Sequence, residues 1–182
     1  MTTTFIIVPG YTNSGSQHWQ SYIERKYHNT VRVIQDDWNA PNHKWIERLN
    51  EVVQNTEGEL VLIGHSCGAV CVAQWASQFP NHRVKAMILA TPADVDSPSA
   101  LLDIQQQRPL PNKKLPSPSL LIYTDNDPHL GTEKAHQLAE IWGSQLMLVK
   151  SGEHLNTDAG YGEWHEGEQL IEEFVGREFI GR

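Results

Sequence analysis

The sequence predicts an α/β fold: a three-layer sandwich in which a parallel sheet of about six strands carries helices on both faces. Three observations lead there. Short apolar runs recur along the chain, Phe5–Val8, Leu60–Ile63, Val84–Ala90 and Ser119–Tyr123 among them, and they are continuous rather than alternating. Unbroken apolar strands are those buried on both faces, as in a parallel sheet. Segments of helical periodicity separate these runs, and strand–helix alternation is the pattern of such a sandwich. At 182 residues the chain suits one domain spanning 1–182, long enough to bury a core.

Each element has a local reason. Phe5-Ile6-Ile7-Val8 is stopped by Pro9-Gly10. Ser14 to Gln17 supplies helix-start residues, and Trp19, Tyr22 and Ile23 continue at helical spacing to about His28. Val31 to Gln35 reads as the second strand. Trp45, Ile46, Leu49, Val52 and Val53 form a 3.6-residue stripe, so a helix is expected over about 42–55. A third strand, Leu60–Ile63, leads into a mostly apolar helix over 69–79, halted by Pro80. Val84–Ala90 is the fourth strand and Ser119–Tyr123 the fifth. Ala135, Leu138, Ala139 and Trp142 mark another helix ending at Gly143, and Gln145–Val149 is the sixth strand. A last helix is expected over about 162–179. Between strands four and five, residues 91–117 are rich in proline and carry Gln105-Gln106-Gln107. A connection of that length reads as a lid or rim over a site.

The formal net charge of -8 argues against nucleic acid and anionic membranes as partners. No apolar run is long enough to span a membrane, and the first residues lack the features of a secretory leader. Cys67 and Cys71 lie four apart on one helix and suit neither a disulfide framework nor a zinc site. Reduced thiols and a cytoplasmic location are expected.

The densest chemical signal is Gly64-His65-Ser66-Cys67-Gly68, set between the third strand and the apolar helix. A serine in that strand–turn–helix context is held in a strained conformation with its hydroxyl exposed at the strand's end. The helix N-terminus sets amide N–H groups beside it. In a parallel sheet, ligand chemistry gathers where strands end. The third strand delivers Ser66 there, the fifth Asp125 and Asp127, and the sixth His154. The order Ser, Asp, His matches the α/β-hydrolase arrangement in its minimal form. Ser66 is then the nucleophile and His154 the base. Asp127 and Asp125 compete for the acid; Pro128 fixes the backbone after Asp127, while Asp125 reads as an ordinary turn aspartate.

An oxyanion hole needs two amides. Cys67 supplies one, and Tyr11, in the loop Pro9-Gly10-Tyr11-Thr12, is the choice for the other. Gly10 permits close backbone approach to a substrate. Trp19 and Trp38 lie near the same strand ends and are candidate walls of an acyl pocket, though tryptophan more often packs in a core. His129 is a rival base, cramped beside Asp127; His65 reads as structural. His18, His28, His43, His82, His136 and His165 read as surface residues. No metal-ligand spacing is present, so neither a metal nor another cofactor is expected.

Taken together, Gly10-Tyr11 with Trp19, Gly64-His65-Ser66-Cys67-Gly68, Asn126-Asp127-Pro128 and Gly152-Glu153-His154-Leu155-Asn156 resemble the YdeN-like small serine hydrolases, a family including the retinoblastoma-binding-protein type. The resemblance spans essentially the whole chain. It implies Ser66, Asp127 and His154 as nucleophile, acid and base, and a carboxylesterase-like action on small acyl esters without cofactor. Two departures stand out: Pro9 where the family usually has histidine, and Glu153 between Gly152 and His154. The expected function is hydrolysis of a small-molecule acyl ester. Two rivals are a protein-binding module on the same scaffold and an enzyme using a cysteine nucleophile.

Overall fold

The structure, a computed structural model, describes residues 2–182. Its centre is one six-stranded sheet, parallel at every pairing, in the order β2-β1-β3-β4-β5-β6. The strands are β1 (Thr3–Val8), β2 (Thr30–Arg32), β3 (Glu59–His65), β4 (Val84–Ala90), β5 (Ser119–Thr124) and β6 (Gln145–Val149). The helices are α1 (Trp19–Lys26), α2 (His43–Gln54), α3 (Cys67–Gln78), α4 (Thr132–Trp142) and α5 (His165–Val175).

Strand alternation divides the core into two layers. Phe5, Ile7, Val61, Ile63, Ile88 and Ile122 point to one side, where Trp19 and Ile23 of α1 and Ile171 and Val175 of α5 meet them. Ile6, Val8, Leu60, Leu62, Leu89 and Leu121 point to the other, against α2, α3 and α4. Buried on both faces, the central strands had to be apolar throughout, which is why they read as continuous runs.

Three elements differ most from expectation. β2 ends at Arg32 rather than Gln35. There the Arg32 guanidinium turns back to Asn13 Oδ1 and the Ser14 carbonyl, each at 2.6 Å, and beyond it a single bond, Val33 N–H to Ile7 O at 2.9 Å, continues the pairing. α1 starts at Trp19 because the His18 side chain caps it, accepting from the Gln20 amide. α5 is shorter than 162–179: Gly176, at φ 65, closes it in the left-handed region. Within 91–117 a 3-10 helix, Leu102–Gln107, forms. Gln107 Nε2 donates to the Cys67 carbonyl at 2.8 Å, fixing this segment as a rim on the first turn of α3. Among the described residues no helix is long and apolar enough to cross a membrane.

Candidate active site

The turn between β3 and α3 is governed by close packing. A Cβ on Gly68 would stand 2.0 Å from the Val8 carbonyl oxygen, and one on Gly64 would stand 2.6 Å from Ala69 Cα. Only hydrogen fits at either position. Between them Ser66 takes φ 59 and ψ -123, a conformation costing a non-glycine residue about 1–3 kcal/mol. Its amide donates to the Ala90 carbonyl at 3.0 Å, holding the turn against β4.

Ser66 Oγ lies 2.8 Å from His154 Nε2. The other ring nitrogen, Nδ1, lies 3.0 and 3.1 Å from the two carboxylate oxygens of Asp127. The Asp127 side chain is fully buried and also accepts the His129 amide at 2.8 Å. A carboxylate only accepts, so Nδ1 carries the proton and Nε2 is left free to take one from the serine.

The loop bearing His154 is gripped residue by residue from the end of β5. The Thr124 hydroxyl donates to the Glu153 carbonyl. Asp125 Oδ1 accepts the Ser151 amide at 2.7 Å, and Asn126 Oδ1 accepts the Glu153 amide at 2.7 Å. Asp125 is therefore a backbone anchor, and it is Asp127 that meets the imidazole. Ser151, Glu153 and Leu155 all have positive φ, so the loop zigzags around His154 in a conformation these contacts must maintain. The anchoring roles of Thr124 and Asn126 escaped the sequence reading because their partners are backbone groups.

Gly10 seats the first-strand loop on the turn: a Cβ there would lie 2.7 Å from the His65 carbonyl oxygen and 3.2 Å from the Cys67 amide nitrogen. In that loop the Thr12 amide is bound to Trp38 O and the Asn13 amide to Gly10 O, and Tyr11 itself lines the cleft with Cys67. The Cys67 amide, at the first position of α3, has no acceptor within the helix. The Tyr11 hydroxyl reaches out to Asp103 Oδ2 of the rim at 2.6 Å. Burial pushes the Cys67 thiol up to about 12, so it stays protonated, and this weighs against the cysteine-nucleophile reading.

A cleft of about 250 Å³ opens over these groups, with Gly10, Tyr11, Ser66, Cys67 and His154 in its lining. Neither predicted tryptophan wall belongs to it. Trp19 is a core residue, 1% exposed, on the sheet-facing side of α1, and its indole N–H donates to the Leu155 carbonyl at 2.8 Å. Trp38 packs edge-on against Trp45, and its backbone carbonyl accepts the Thr12 amide at 3.0 Å. His18, expected at the surface, is 4% exposed and lines the cleft. His129 stands beside the His154 ring, at 4.6 Å between centroids, without replacing it.

Comparison with known proteins agrees with this architecture. The family model described as "Serine hydrolase" matches residues 5–173. Among curated proteins none matches significantly. Among solved structures, a YdeN-like hydrolase from Pectobacterium atrosepticum superposes with a TM-score of 0.86 at 27% identity, covering 96% of this chain and 91% of its own. The ydeN gene product of B. subtilis gives 0.76 at 15% identity over 97% and 100%. Carboxylesterase CesB from Bacillus subtilis gives 0.68 at 15% identity over 96% and 84%, a likeness of fold. By the match of its family model over nearly its whole length, the chain belongs to the serine hydrolase family.

Proposed function

We propose that the protein is a carboxylesterase-like hydrolase of short acyl esters, with Ser66 as nucleophile, His154 as general base and acid, and Asp127 as its orienting carboxylate. The observation that carries this reading is the unbroken hydrogen-bonded relay from Asp127 through His154 to Ser66. As Ser66 Oγ bonds to the acyl carbon, its proton passes to His154 Nε2. The amides of Tyr11 and Cys67 receive the developing oxyanion, each worth about 3 kcal/mol in such a role. The bond to the leaving alkoxide then breaks, and His154 returns the proton to it. Water attacks the acyl-serine, its proton goes to His154 and then to Ser66 Oγ, and the carboxylic acid leaves.

The cleft volume of about 250 Å³ favours small substrates, since pockets for drug-sized ligands span roughly 300–1,000 Å³. A reducing compartment such as the cytoplasm suits the two free, buried thiols.

Fluorophosphonate labelling tests the assignment. The folded wild type should be labelled and hydrolyse p-nitrophenyl acetate or butyrate, and Ser66→Ala should do neither. A wild type that is inert in both assays would instead support a binding module.

A further inference from the structure

The two amides assigned to the oxyanion come from separate parts of the chain. Tyr11 sits in the loop after β1, and Cys67 opens α3. Each of these residues is also held by a side chain of the Leu102–Gln107 helix on the rim. The Tyr11 hydroxyl donates to Asp103 Oδ2 at 2.6 Å, and Gln107 Nε2 donates to the Cys67 carbonyl at 2.8 Å. The bond to Asp103 raises the Tyr11 phenol above its usual pKa, so it keeps its proton and remains the donor. Asp103 and Gln107 stand four residues apart in a 3-10 helix, which rises about 2 Å per residue. The two anchors are therefore about 8 Å apart along its axis.

The rim itself is fixed by other bonds. Ile104 is buried in the core layer shared with α3. Gln74 Nε2, from α3, donates to the Gln107 carbonyl at 2.6 Å. Arg108 donates to the carbonyls of Val95 and Ser97 at 2.6 and 2.8 Å. The loop after β1 is the less regular partner: Thr12 and Asn13 have φ 64 and 69, a conformation that contacts outside the loop must maintain. Gly10 sets how closely this loop approaches the turn at Ser66, and the side chain of Tyr11 ties the following residue to the rim.

We propose that the Leu102–Gln107 helix is a strut that sets the spacing of the oxyanion hole, with Asp103 and Gln107 as positioning residues acting through Tyr11 and Cys67. This rests on the esterase reading above, which makes those two amides the oxyanion donors. Such donors stabilise the transition state only when they are already in place as charge develops. Loosening either anchor therefore weakens transition-state binding more than substrate binding.

The test uses p-nitrophenyl butyrate and the ketone 1,1,1-trifluoropentan-2-one. Ser66 Oγ adds to the ketone's carbonyl carbon, its proton passes to His154 Nε2, and the carbonyl oxygen becomes an oxyanion in the hole. Asp103→Ala alters an exposed residue. It should lower kcat and weaken ketone binding by the same factor, roughly threefold to tenfold, the scale of one hydrogen bond, with KM little changed. Asp103→Asn, which keeps an acceptor, should recover most of both. Tyr11→Phe should match Asp103→Ala, and the two combined should be no worse than either alone. Gln107→Leu should cost a similar factor through the other anchor. Unaltered kcat or unaltered ketone binding in Asp103→Ala or in folded Gln107→Leu overturns the proposal. So does an Asp103→Asn variant no better than Asp103→Ala, or losses in Tyr11→Phe and Asp103→Ala that multiply. Should Gln107→Leu not fold, the Asp103 and Tyr11 variants decide in the same sense. Any of these results beside an active wild type overturns this inference alone; a wild type that neither hydrolyses the ester nor binds the ketone overturns the hydrolase reading with it.

Discussion

His65 Nε2 donates to the backbone carbonyl of His154 across 2.8 Å, so the residue preceding Ser66 holds the His154 loop from behind. The Thr91 hydroxyl reaches the same carbonyl at 3.2 Å. A carbonyl only accepts, which fixes the proton of His65 on Nε2. Burial keeps the His65 pKa well below the usual histidine value, so the ring stays neutral. Removing this donor leaves a strained loop with one fewer restraint.

The expected consequence is kinetic. His65→Ala should lower kcat by roughly tenfold to a hundredfold, the scale of a small misplacement of a reacting group, with KM little changed. His65→Gln, which retains an N–H donor, should recover part of the loss. Steady-state kinetics on p-nitrophenyl butyrate checks both, and an unaltered kcat in His65→Ala would mean that Thr91 suffices.

The division of labour between Asp125 and Asp127 is testable by amide substitution. Asp127→Asn should lower kcat by roughly 10⁴, because its amide favours the wrong tautomer of the base. Asp125→Asn keeps an acceptor for the Ser151 amide and should stay within about threefold of wild type, since no proton transfer depends on it. Equal losses from the two substitutions would be inconsistent with the observed bonding.

Strain at Ser66 gives a prediction in the opposite direction. Ser66→Gly removes the hydroxyl proposed as nucleophile and also the penalty of φ 59 and ψ -123, whereas Ser66→Ala keeps that penalty. Glycine's greater unfolded-state entropy offsets part of the relief, by about 0.5–1 kcal/mol. Both variants should be inactive, with Ser66→Gly the more stable by about 1 kcal/mol in urea unfolding. Equal stabilities would show that the surrounding packing, and not φ, dominates at this turn.

The fold was largely legible in the sequence because its determinants are local. β4 and β6 occupy the residues their apolar runs indicate, and each of Ser66, Asp127 and His154 stands just past a strand end. What escaped is what depends on side-chain direction. A tryptophan near a strand end can face the cleft or the sheet, and nothing in spacing separates the two; Trp19 packs in the core beside the sheet and Trp38 against Trp45, and neither lines the cleft. A histidine amid polar residues reads as exposed, yet His18 is buried, its ring packed beside those of Trp19 and His65. The role of Asp125 was equally hidden, since its partner is a backbone amide.

That enclosure of His18 makes stability depend on acidity. Its folded pKa of about 3 lies below the ordinary 6.5 of the unfolded chain. Between those values the unfolded state binds a proton that the folded state refuses, so stability is complete above pH 6.5 and declines as pH falls towards 3. The slope approaches about 1.4 kcal/mol per pH unit for this one histidine. His65, depressed by burial, acts in the same direction, as does the half-buried His129. Urea unfolding at pH 8, 7, 6 and 5 should therefore give similar stabilities at the first two and a steep loss at the last two. His18→Asn should shrink the difference between pH 6 and pH 5 by about 1 kcal/mol, because the variant has no imidazole there to protonate on unfolding. A slope identical in wild type and variant would mean that His18 takes up its proton without unfolding.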